Sequence, residues 1–432
     1  MKTFSVILIG AGMRGDIYTS IMNDSPEKFK VVAVAEHDIG RRDKIKDRHN
    51  IPDEMCFESW EDALAGEKLA DVAVIATMDD MHYEVALRAI ELGYDIVLEK
   101  PVAQTAKECV DIALAAKKKG VKVLVCHVLR YTPFFNKVKE IIMNGTIGEI
   151  MSVIHVEAVG NIHQSHSYVR GNWHSEEETT PMLLAKSCHD IDILQWLIDK
   201  PCRKVSSFGS LTYFRPENAP KGAPVRCIDG GCPIEDTCPY NCKTIYYCGN
   251  DNNWLRPAAA KGVAKSVVPS DEEVLETLRT TDFGLCVFHA NNDVVDHQVV
   301  NMEFEGGKTV SFSMNAFNEG GRYIRIFGTK GELYAGMADT EITVYTFDDA
   351  KRHSVTVPGT GESILDGHGG GDQGMIAEMY DYFSDNYNGV CAADIDISVK
   401  NHLIGFAAEK ARREGTVESV DEFFRQYGMI NE

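Results

Sequence analysis

The feature that most constrains this chain is a glycine pattern directly after its first apolar run, residues 4–9. The pattern reads Gly10-Ala11-Gly12-Met13-Arg14-Gly15. An unbroken apolar run of this kind is typical of a parallel strand buried on both faces. The first glycine allows a tight turn, the second lets a ligand approach the backbone, and the third lets helix and strand pack closely. The pattern predicts a pyrophosphate-binding turn at a helix N-terminus, although such turns also occur in unrelated α/β folds.

A carboxylate follows at the end of the second predicted strand, residues 29–36. Glu36 lies about 20 residues after the glycine pattern, where an acidic residue can accept hydrogen bonds from the adenosine ribose. A carboxylate there repels a 2′-phosphate, so the sequence favours NAD over NADP. Arg41 and Arg42 follow closely in the sequence and could bind that phosphate, so NADP remains the alternative cofactor.

The order of predicted elements indicates two domains. Strand-like and helix-like segments alternate through the first part of the chain, which predicts a doubly wound parallel sheet. Residues 149–160 and 294–317 alternate apolar and polar side chains as antiparallel strands do. We therefore predict an α/β Rossmann domain, residues 1–127, and an α+β C-terminal domain with a large antiparallel sheet, residues 128–432. The stretch at about 205–280 is rich in Pro, Gly, Cys and Asn, fits no clear element, and is interpreted as an inserted lobe.

The net charge excludes several classes of partner. The formal charge is −21 at pH 7. A surface this acidic repels nucleic acid and anionic membranes, so we expect neither as a partner. The apolar start of the chain runs into the glycine pattern without a cleavage site, and we interpret it as a strand of a cytoplasmic protein.

A series of short motifs continues through the first domain and just beyond it. They are Ala76-Thr77, His82, Gly93, Glu99-Lys100-Pro101, Arg130-Tyr131-x-Pro133 and Gly145-x-x-Gly148-Glu149-Ile150. In this combination the chain resembles the glucose–fructose oxidoreductase / inositol dehydrogenase (Gfo/Idh/MocA) family. The resemblance implies an NAD(P)-dependent dehydrogenase that acts on sugars or polyols.

The resemblance also implies roles for individual residues. Thr77 and His82 are expected beside the cofactor, and Glu99 and Lys100 next to the nicotinamide. A lysine at a strand end there can lower the pKa of a substrate hydroxyl, although Lys100 could also be a surface lysine before a proline. The predicted cofactor-binding residues are Gly10, Gly12, Met13, Arg14, Gly15, Glu36, Thr77, His82, Glu99, Lys100 and Arg130.

The chain departs from the family at a second signature, which usually reads Asp-x-Gly-x-His-x-x-Asp on a helix. Here the stretch is Ala185-Lys186-Ser187-Cys188-His189-Asp190-Ile191-Asp192, with alanine where the catalytic aspartate is expected. On a continuous helix Lys186, His189 and Asp190 share one face. They predict a replacement acid–base set, with His189 as the general base. A core histidine, and ion-paired roles for Lys186 and Asp190, are the alternatives.

The substrate is expected to contact a polar and aromatic segment, residues 163–174, because sugars are bound by such mixtures. A polar surface loop and a histidine metal site are the alternatives for this segment. A glycine-flanked histidine at residue 368 is a further candidate. The predicted substrate-binding residues are Lys100, Arg170, Asn172, Trp173, His189, Asp192 and His368.

Five cysteines lie between residues 227 and 248. Thiolate ligation of zinc needs four ligands that converge on a tetrahedron. We predict a structural zinc site at Cys227, Cys232, Cys238 and Cys242, with an iron–sulfur cluster or unligated thiols as alternatives.

Three functional hypotheses follow. The first is an NAD-dependent oxidoreductase acting on a secondary CH–OH of a sugar, sugar acid or cyclitol, with Lys100 and His189 handling the hydroxyl proton. The second is an NAD-dependent glycoside hydrolase that oxidises transiently, eliminates and reduces again. The third is a sensor that only reads NAD. In each case we expect a homodimer or homotetramer.

Overall fold

The computed structural model describes residues 2–248, 269–359 and 367–429. The first sheet contains β1 (Phe4–Ile9), β2 (Phe29–Ala35), β3 (Cys56–Phe57), β4 (Val72–Ile75), β5 (Asp95–Leu98) and β6 (Val123–Val125), and its helices are α1 (Met13–Asn23), α2 (Ile39–His49), α3 (Trp60–Ala63), α4 (His82–Leu92) and α5 (Ala106–Lys119). The six strands are parallel, in the order β3-β2-β1-β4-β5-β6. This is the doubly wound Rossmann order, and it confirms the prediction.

Local sequence explains the helices of this sheet. Thr105 and Glu108 form a reciprocal capping box at the start of α5, and Gly120 ends that helix in the left-handed conformation. Asp38 caps α2 by accepting from the backbone N–H of Arg41. These signals fix where the helices begin, and so where each strand-to-helix loop opens at the carboxyl edge of the sheet.

The rest of the chain forms a second sheet and its helices. They are α6 (Pro133–Met143), β7 (Ile150–Ala158), α7 (Asn161–His163), α8 (Met182–Ala185), α9 (Cys188–Ile198), β8 (Cys202–Ser210), α10 (Asp271–Thr280), β9 (His297–Phe304), β10 (Lys308–Asn315), β11 (Gly321–Gly328), β12 (Gly331–Gly336), β13 (Glu341–Thr346), β14 (Lys351–Thr356), α11 (Gly367–Phe383), α12 (Ile395–Glu414), β15 (Val417–Ser419) and α13 (Val420–Gln426). The nine strands follow the order β14-β13-β12-β11-β7-β10-β9-β8-β15.

The second sheet is mixed, whereas the sequence predicted an antiparallel one. All neighbouring pairs are antiparallel except β7 and β10, which run parallel in the middle of the sheet. The reason is topological. β7 enters the sheet alone, and the hairpins β9–β10 and β11–β12 are then added on either side of it.

The last helices connect the two sheets. α12 packs against α5 of the first sheet and against α9 and β8 of the second, and α11 packs against α1. One continuous apolar core therefore contains residues of both sheets. Among residues 2–248, 269–359 and 367–429, none of the helices has the length and hydropathy that a bilayer-spanning segment requires.

The stretch at about 205–280 contains more regular structure than the sequence analysis found. β8 ends only at Ser210, and α10 begins with a capping box between Ser270 and Glu273. That box is a readable start signal, which the polar composition of the stretch obscured. The remaining described residues form short turns around two small apolar clusters separate from the main core.

Candidate active site between the two sheets

The glycine turn has the geometry that its pattern predicts. Gly10 has a φ of +90°, and a Cβ there would lie 2.6 Å from the Ala76 carbonyl oxygen. A Cβ at Gly15 would lie 2.2 Å from the Gly10 carbonyl oxygen, so helix and strand meet without room for a side chain. Around Gly12, by contrast, a Cβ would meet nothing within 4 Å. Open space thus faces the first N–H groups of α1, and this arrangement fits a dinucleotide pyrophosphate.

The carboxylate of Glu36 reaches the glycine turn. It accepts hydrogen bonds from the backbone N–H of Ala11 at 2.7 Å and of Asp38 at 3.0 Å. The guanidinium of Arg42 donates to the Glu36 carbonyl oxygen at 2.5 Å. A carboxylate and an arginine therefore both lie at the end of β2, where the ribose of a dinucleotide is expected.

His82 joins the loops that follow β4 and β5. Its ring is buried, with Nδ1 2.7 Å from the Pro101 carbonyl oxygen and Nε2 3.2 Å from the Thr77 carbonyl oxygen. The Thr77 hydroxyl is buried and has no hydrogen-bond partner among the described residues. His82 thus positions the two loops, and the unpaired Thr77 hydroxyl is the one free to contact a ligand.

Glu99 and Arg14 bind each other. Arg14 donates to Glu99 at 2.9 Å and to Asp372 at 3.0 Å, and Tyr18 also donates to Glu99. Burial opposes ionisation of Glu99, but the charges of Arg14 and Lys100 hold its pKa below the usual range. This network connects the end of β5 to α11. Tyr18 was not predicted, although it lies one helical turn after Arg14, at the spacing of neighbours on a helix face.

Lys100 lies at the centre of the site. Its Nζ donates to the carbonyl oxygen of Ala185 at 2.7 Å. Burial raises the pKa of nearby Asp79, and its neighbours His82 and Lys100 oppose this rise. Asp79 accepts from the indole N–H of Trp173 at 3.1 Å.

Asn172 lies beside this group, with its amide 3.5 Å from the Met78 sulfur. Two of the predicted substrate residues, Asn172 and Trp173, therefore lie against the loop after β4.

The stretch from Ala185 to Asp192 does not lie on one continuous helix, which corrects one expectation. α8 ends at Ala185, and α9 begins only at Cys188. Lys186 therefore lies outside the helix that carries His189 and Asp190. Lys186 lies 3.5 Å from Glu157, while the His189 ring lies 5.9 Å from that of His368.

His189 is held in its neutral form. Burial, reinforced by the positive charge of Lys100, keeps its pKa well below the usual range for histidine. Its Nδ1 is buried and has no hydrogen-bond partner in the described parts of the chain. A neutral imidazole with an unused nitrogen can accept a proton or a hydrogen bond.

Asp190 belongs to a buried ionic network with residues that the sequence analysis missed. It accepts from His155 at 2.8 Å and from Arg322 at 2.9 Å, and Arg322 also pairs with Glu157 at 2.5 Å. Although burial opposes ionisation, Arg322 and His155 lower the pKa of Asp190 to about 2. Asp190 is therefore an anion in a structural network. The network could have been suspected from Glu157 and Arg322, because they are oppositely charged residues at facing positions of β7 and β11.

Arg130 and Asp192 form a second buried pair. Two hydrogen bonds of 2.7 Å join the guanidinium to the carboxylate, and Asn401 adds a third at 2.7 Å. Arg130 was expected to contact the cofactor and Asp192 the substrate. In this structure the two side chains pair with each other, and they stabilise the packing of α9.

Arg170 points into the inserted lobe, which corrects its expected substrate role. It donates to the carbonyl oxygens of Leu285 and Tyr240 at 2.8 Å. The predicted zinc set is not assembled either. In the described parts of the chain, no three His, Cys, Asp or Glu side chains are arranged to hold a metal, and Cys242 is buried in a small apolar cluster with Tyr246.

Comparison with known proteins agrees with this geometry. A family model described as an oxidoreductase family with an NAD-binding Rossmann fold matches residues 4–127, and the family's C-terminal alpha/beta domain matches residues 139–417. A Bacillus subtilis protein named as an oxidoreductase, YteT, is 24% identical over 84% of this chain and 81% of its own length. An inositol 2-dehydrogenase/D-chiro-inositol 3-dehydrogenase of Lactiplantibacillus plantarum is 24% identical over 49% of this chain and 57% of its own.

A solved structure of levoglucosan dehydrogenase with NADH and L-sorbose superposes with a TM-score of 0.69, at 17% identity, over 97% of this chain and 99% of that one. This likeness shows the fold. The two family matches together span nearly the whole chain, from residue 4 to residue 417. The chain therefore belongs to the Gfo/Idh/MocA oxidoreductase family, and it is an NAD-binding enzyme of that type.

Proposed function

We propose that this enzyme is an NAD-dependent dehydrogenase that oxidises a secondary CH–OH of a sugar, sugar acid or cyclitol. The observation that carries the proposal is the position of Lys100. Its ammonium group is held 2.7 Å from the Ala185 carbonyl oxygen, and its charge acts on His189, a neutral histidine with an unused nitrogen. A fixed cation beside a proton acceptor is what oxidation of an alcohol requires.

The proposed chemistry divides the work between these two residues. Bound NAD supplies the hydride acceptor. Lys100 lies against the reacting oxygen and stabilises the negative charge that develops there. His189 accepts the hydroxyl proton, because Ala185 offers no carboxylate at the position where the family usually has an aspartate. Because its pKa is lowered, the ring is unprotonated at neutral pH.

The substrate contacts proposed alongside them are Asn172, Trp173 and His368. Trp173 is oriented by its hydrogen bond to Asp79, so its ring is fixed for packing against the C–H face of a sugar. The His368 ring lies 5.9 Å from that of His189 and belongs to the same group. A small carbohydrate or polyol fits such a mixed polar and aromatic surface.

For the cofactor we propose NAD rather than NADP. The support is the Glu36 carboxylate, which is anchored to the glycine turn and would meet a 2′-phosphate with like charge. The proposed contacts are Gly10, Gly12, Met13, Gly15, Glu36 and Thr77 directly, with Arg14, His82 and Glu99 acting through the loops they hold.

The position of Ala185 also favours a second candidate, an NAD-dependent glycoside hydrolase. Elimination of a glycosidic substituent needs a further acid–base group beyond His189. Burial lowers the pKa of Lys186, and the rings of His163 and Tyr168 lie 5.8 Å apart nearby. A simple dehydrogenation does not need these additional acid–base groups.

One experiment separates the two candidates. Sugars, sugar acids, cyclitols and aryl glycosides are incubated with the enzyme and NAD, while NADH absorbance and aryl release are followed together. We expect NADH to accumulate in proportion to substrate. Aryl release without net NADH, lost when NAD is stripped, would replace the dehydrogenase by the hydrolase. Lys100→Met serves as the inactive control in both assays.

We further propose residues 1–127 as the nucleotide-binding domain and residues 128–432 as the substrate and oligomerisation domain. The exposed face of the nine-stranded sheet carries apolar side chains, among them Ile154, Tyr323 and Tyr334, which support a homodimer or homotetramer. Light scattering after size exclusion checks this, and a monomer would refute it.

A further inference from the structure

The inserted lobe contains a small cavity that the dehydrogenase chemistry does not use. Its volume is about 20 Å³, and its lining includes four cysteines and one arginine: Cys227, Cys232, Cys238, Cys286 and Arg170. About 10–15 Å³ suffices for one water, so this space accommodates a single ion. Cys242, which the spacing of the cysteines had suggested as the fourth member, is not part of the lining.

The fold brings Cys286 to this cavity from a distant part of the chain. Arg226 and Leu285 form an isolated antiparallel bridge, and the N–H of Cys286 donates to the Val225 carbonyl oxygen at 2.9 Å. Cys227 and Cys286 are therefore diagonal neighbours on one side of that bridge. Diagonal positions of an antiparallel pair are within reach of each other's side chains.

Cys242 supports Cys227 from beside the cavity. Its N–H donates to the Cys227 sulfur at 3.5 Å, and its thiol, fully buried beside Tyr246, hydrogen-bonds to the same sulfur. Hydrogen bonds of this type support thiolate ligands from outside the coordination shell.

Arg170 indicates that the cavity takes a negatively charged group. The residue is 3% exposed, and its guanidinium contacts the carbonyl oxygens of Leu285 and Tyr240 and the Tyr246 hydroxyl but forms no ion pair among the described residues. Glu235 also lines the cavity, but it accepts from Lys243 at 3.1 Å. A buried guanidinium without a compensating anion is costly. A metal ion bound by four thiolates carries net negative charge and would supply the missing partner.

We propose that Cys227, Cys232, Cys238 and Cys286 form a tetrahedral zinc site that holds the inserted lobe together. Binding of one Zn²⁺ releases the four thiol protons and leaves a complex of charge −2, which the Arg170 guanidinium partly neutralises. In the described structure the four sulfurs line one cavity without forming a coordination shell. A cysteine moves its sulfur by rotation about one single bond, the Cα–Cβ bond, and the proposal is that such rotations bring the four sulfurs onto the ion.

The test measures zinc and iron per chain by inductively coupled plasma mass spectrometry in protein purified without added metal. Cys286→Ser is compared with the matched control Cys242→Ser, which keeps the backbone N–H. We expect about one zinc per chain in the wild type and in Cys242→Ser, and at least a tenfold loss in Cys286→Ser. Absence of metal in the wild type, or equal loss in the two variants, overturns the site. Iron in place of zinc overturns the choice of metal.

A measurement on the wild type alone covers the case in which Cys286→Ser does not fold. The protein is alkylated before and after treatment with a chelator, and the modified cysteines are located by mass spectrometry. We expect the chelator to expose Cys227, Cys232, Cys238 and Cys286 together and to leave Cys242 protected. Exposure of Cys242 in place of Cys286 overturns the assignment.

Discussion

The glycine turn and the group around Lys100 are joined by the hydrogen bond from Arg14 to Glu99, yet they are built in different ways. The turn consists of backbone: Gly10 with its positive φ, Gly12 under open space, and the first N–H groups of α1. The group around Lys100 includes buried carboxylates, Glu99, Asp190 and Asp192, that pair with arginines distant in the sequence. A ligand site made of backbone depends on neighbours in sequence, whereas one made of buried charges depends on contacts between distant elements. The two regions should therefore respond differently to substitution.

The largest effect is expected where a buried charge loses its partner. Asp192→Asn keeps the shape of the side chain but leaves Arg130 buried without an anion, so the free energy of unfolding should fall by about 3–5 kcal/mol. Urea denaturation measures this loss. Glu91→Gln is the matched control, because its pair with Arg88 is on the surface, with Glu91 70% exposed, and should be worth less than about 1 kcal/mol. Similar losses in the two variants would contradict the structural role of Asp192.

The next effect separates catalysis from cofactor binding. His189→Ala should lower kcat by about 10²-fold or more, because the proposed proton acceptor is gone. NAD affinity should stay near wild type, because the His189 ring lies beside the rings of His127 and His368, whereas NAD is proposed to bind at the glycine turn. Stopped-flow or steady-state NADH formation gives the rate, and equilibrium fluorescence gives NAD binding. Normal turnover would remove His189 from the reaction.

The same contrast explains what could be predicted from the sequence. The Rossmann sheet and its glycine turn were predicted correctly because each rests on a local pattern. The pairing of Asp190 with Arg322 could not be predicted, since it depends on the register of β11 against β7. The continuous helix through Lys186 and His189 was wrong because the backbone breaks between α8 and α9. Cys286 was not predicted as part of the cysteine group because the sequence spacing favoured the nearer Cys242. The bridge between Arg226 and Leu285 is what places Cys286 at the cavity.

A smaller effect is expected at the glycine turn, where Glu36 is anchored. Glu36→Ala should weaken NAD binding about tenfold through loss of charge-assisted hydrogen bonds, and NADP binding by less, because a like charge near the 2′-phosphate is removed as well. The urea midpoint should change little compared with Asp192→Asn. Dissociation constants for both cofactors, measured by fluorescence titration, check the ratio. Equal weakening of NAD and NADP would place Glu36 away from the ribose.

The smallest effect concerns the pH dependence of kcat/KM, and it tests whether burial keeps His189 unprotonated. His189 must be neutral to accept a proton, and its pKa lies well below 6.5 because of burial and the Lys100 charge. As pH falls from about 7.5 to about 6, kcat/KM should therefore fall less than about twofold. A histidine with an ordinary pKa would lose about fourfold over the same range. A decline with an apparent pKa near 6.5 in the wild type, absent from the residual activity of His189→Ala, would show that His189 is the base but is not held neutral by its surroundings. The contrast between the two regions would then fail at His189, because the group around Lys100 would be no more shielded from solvent than the glycine turn.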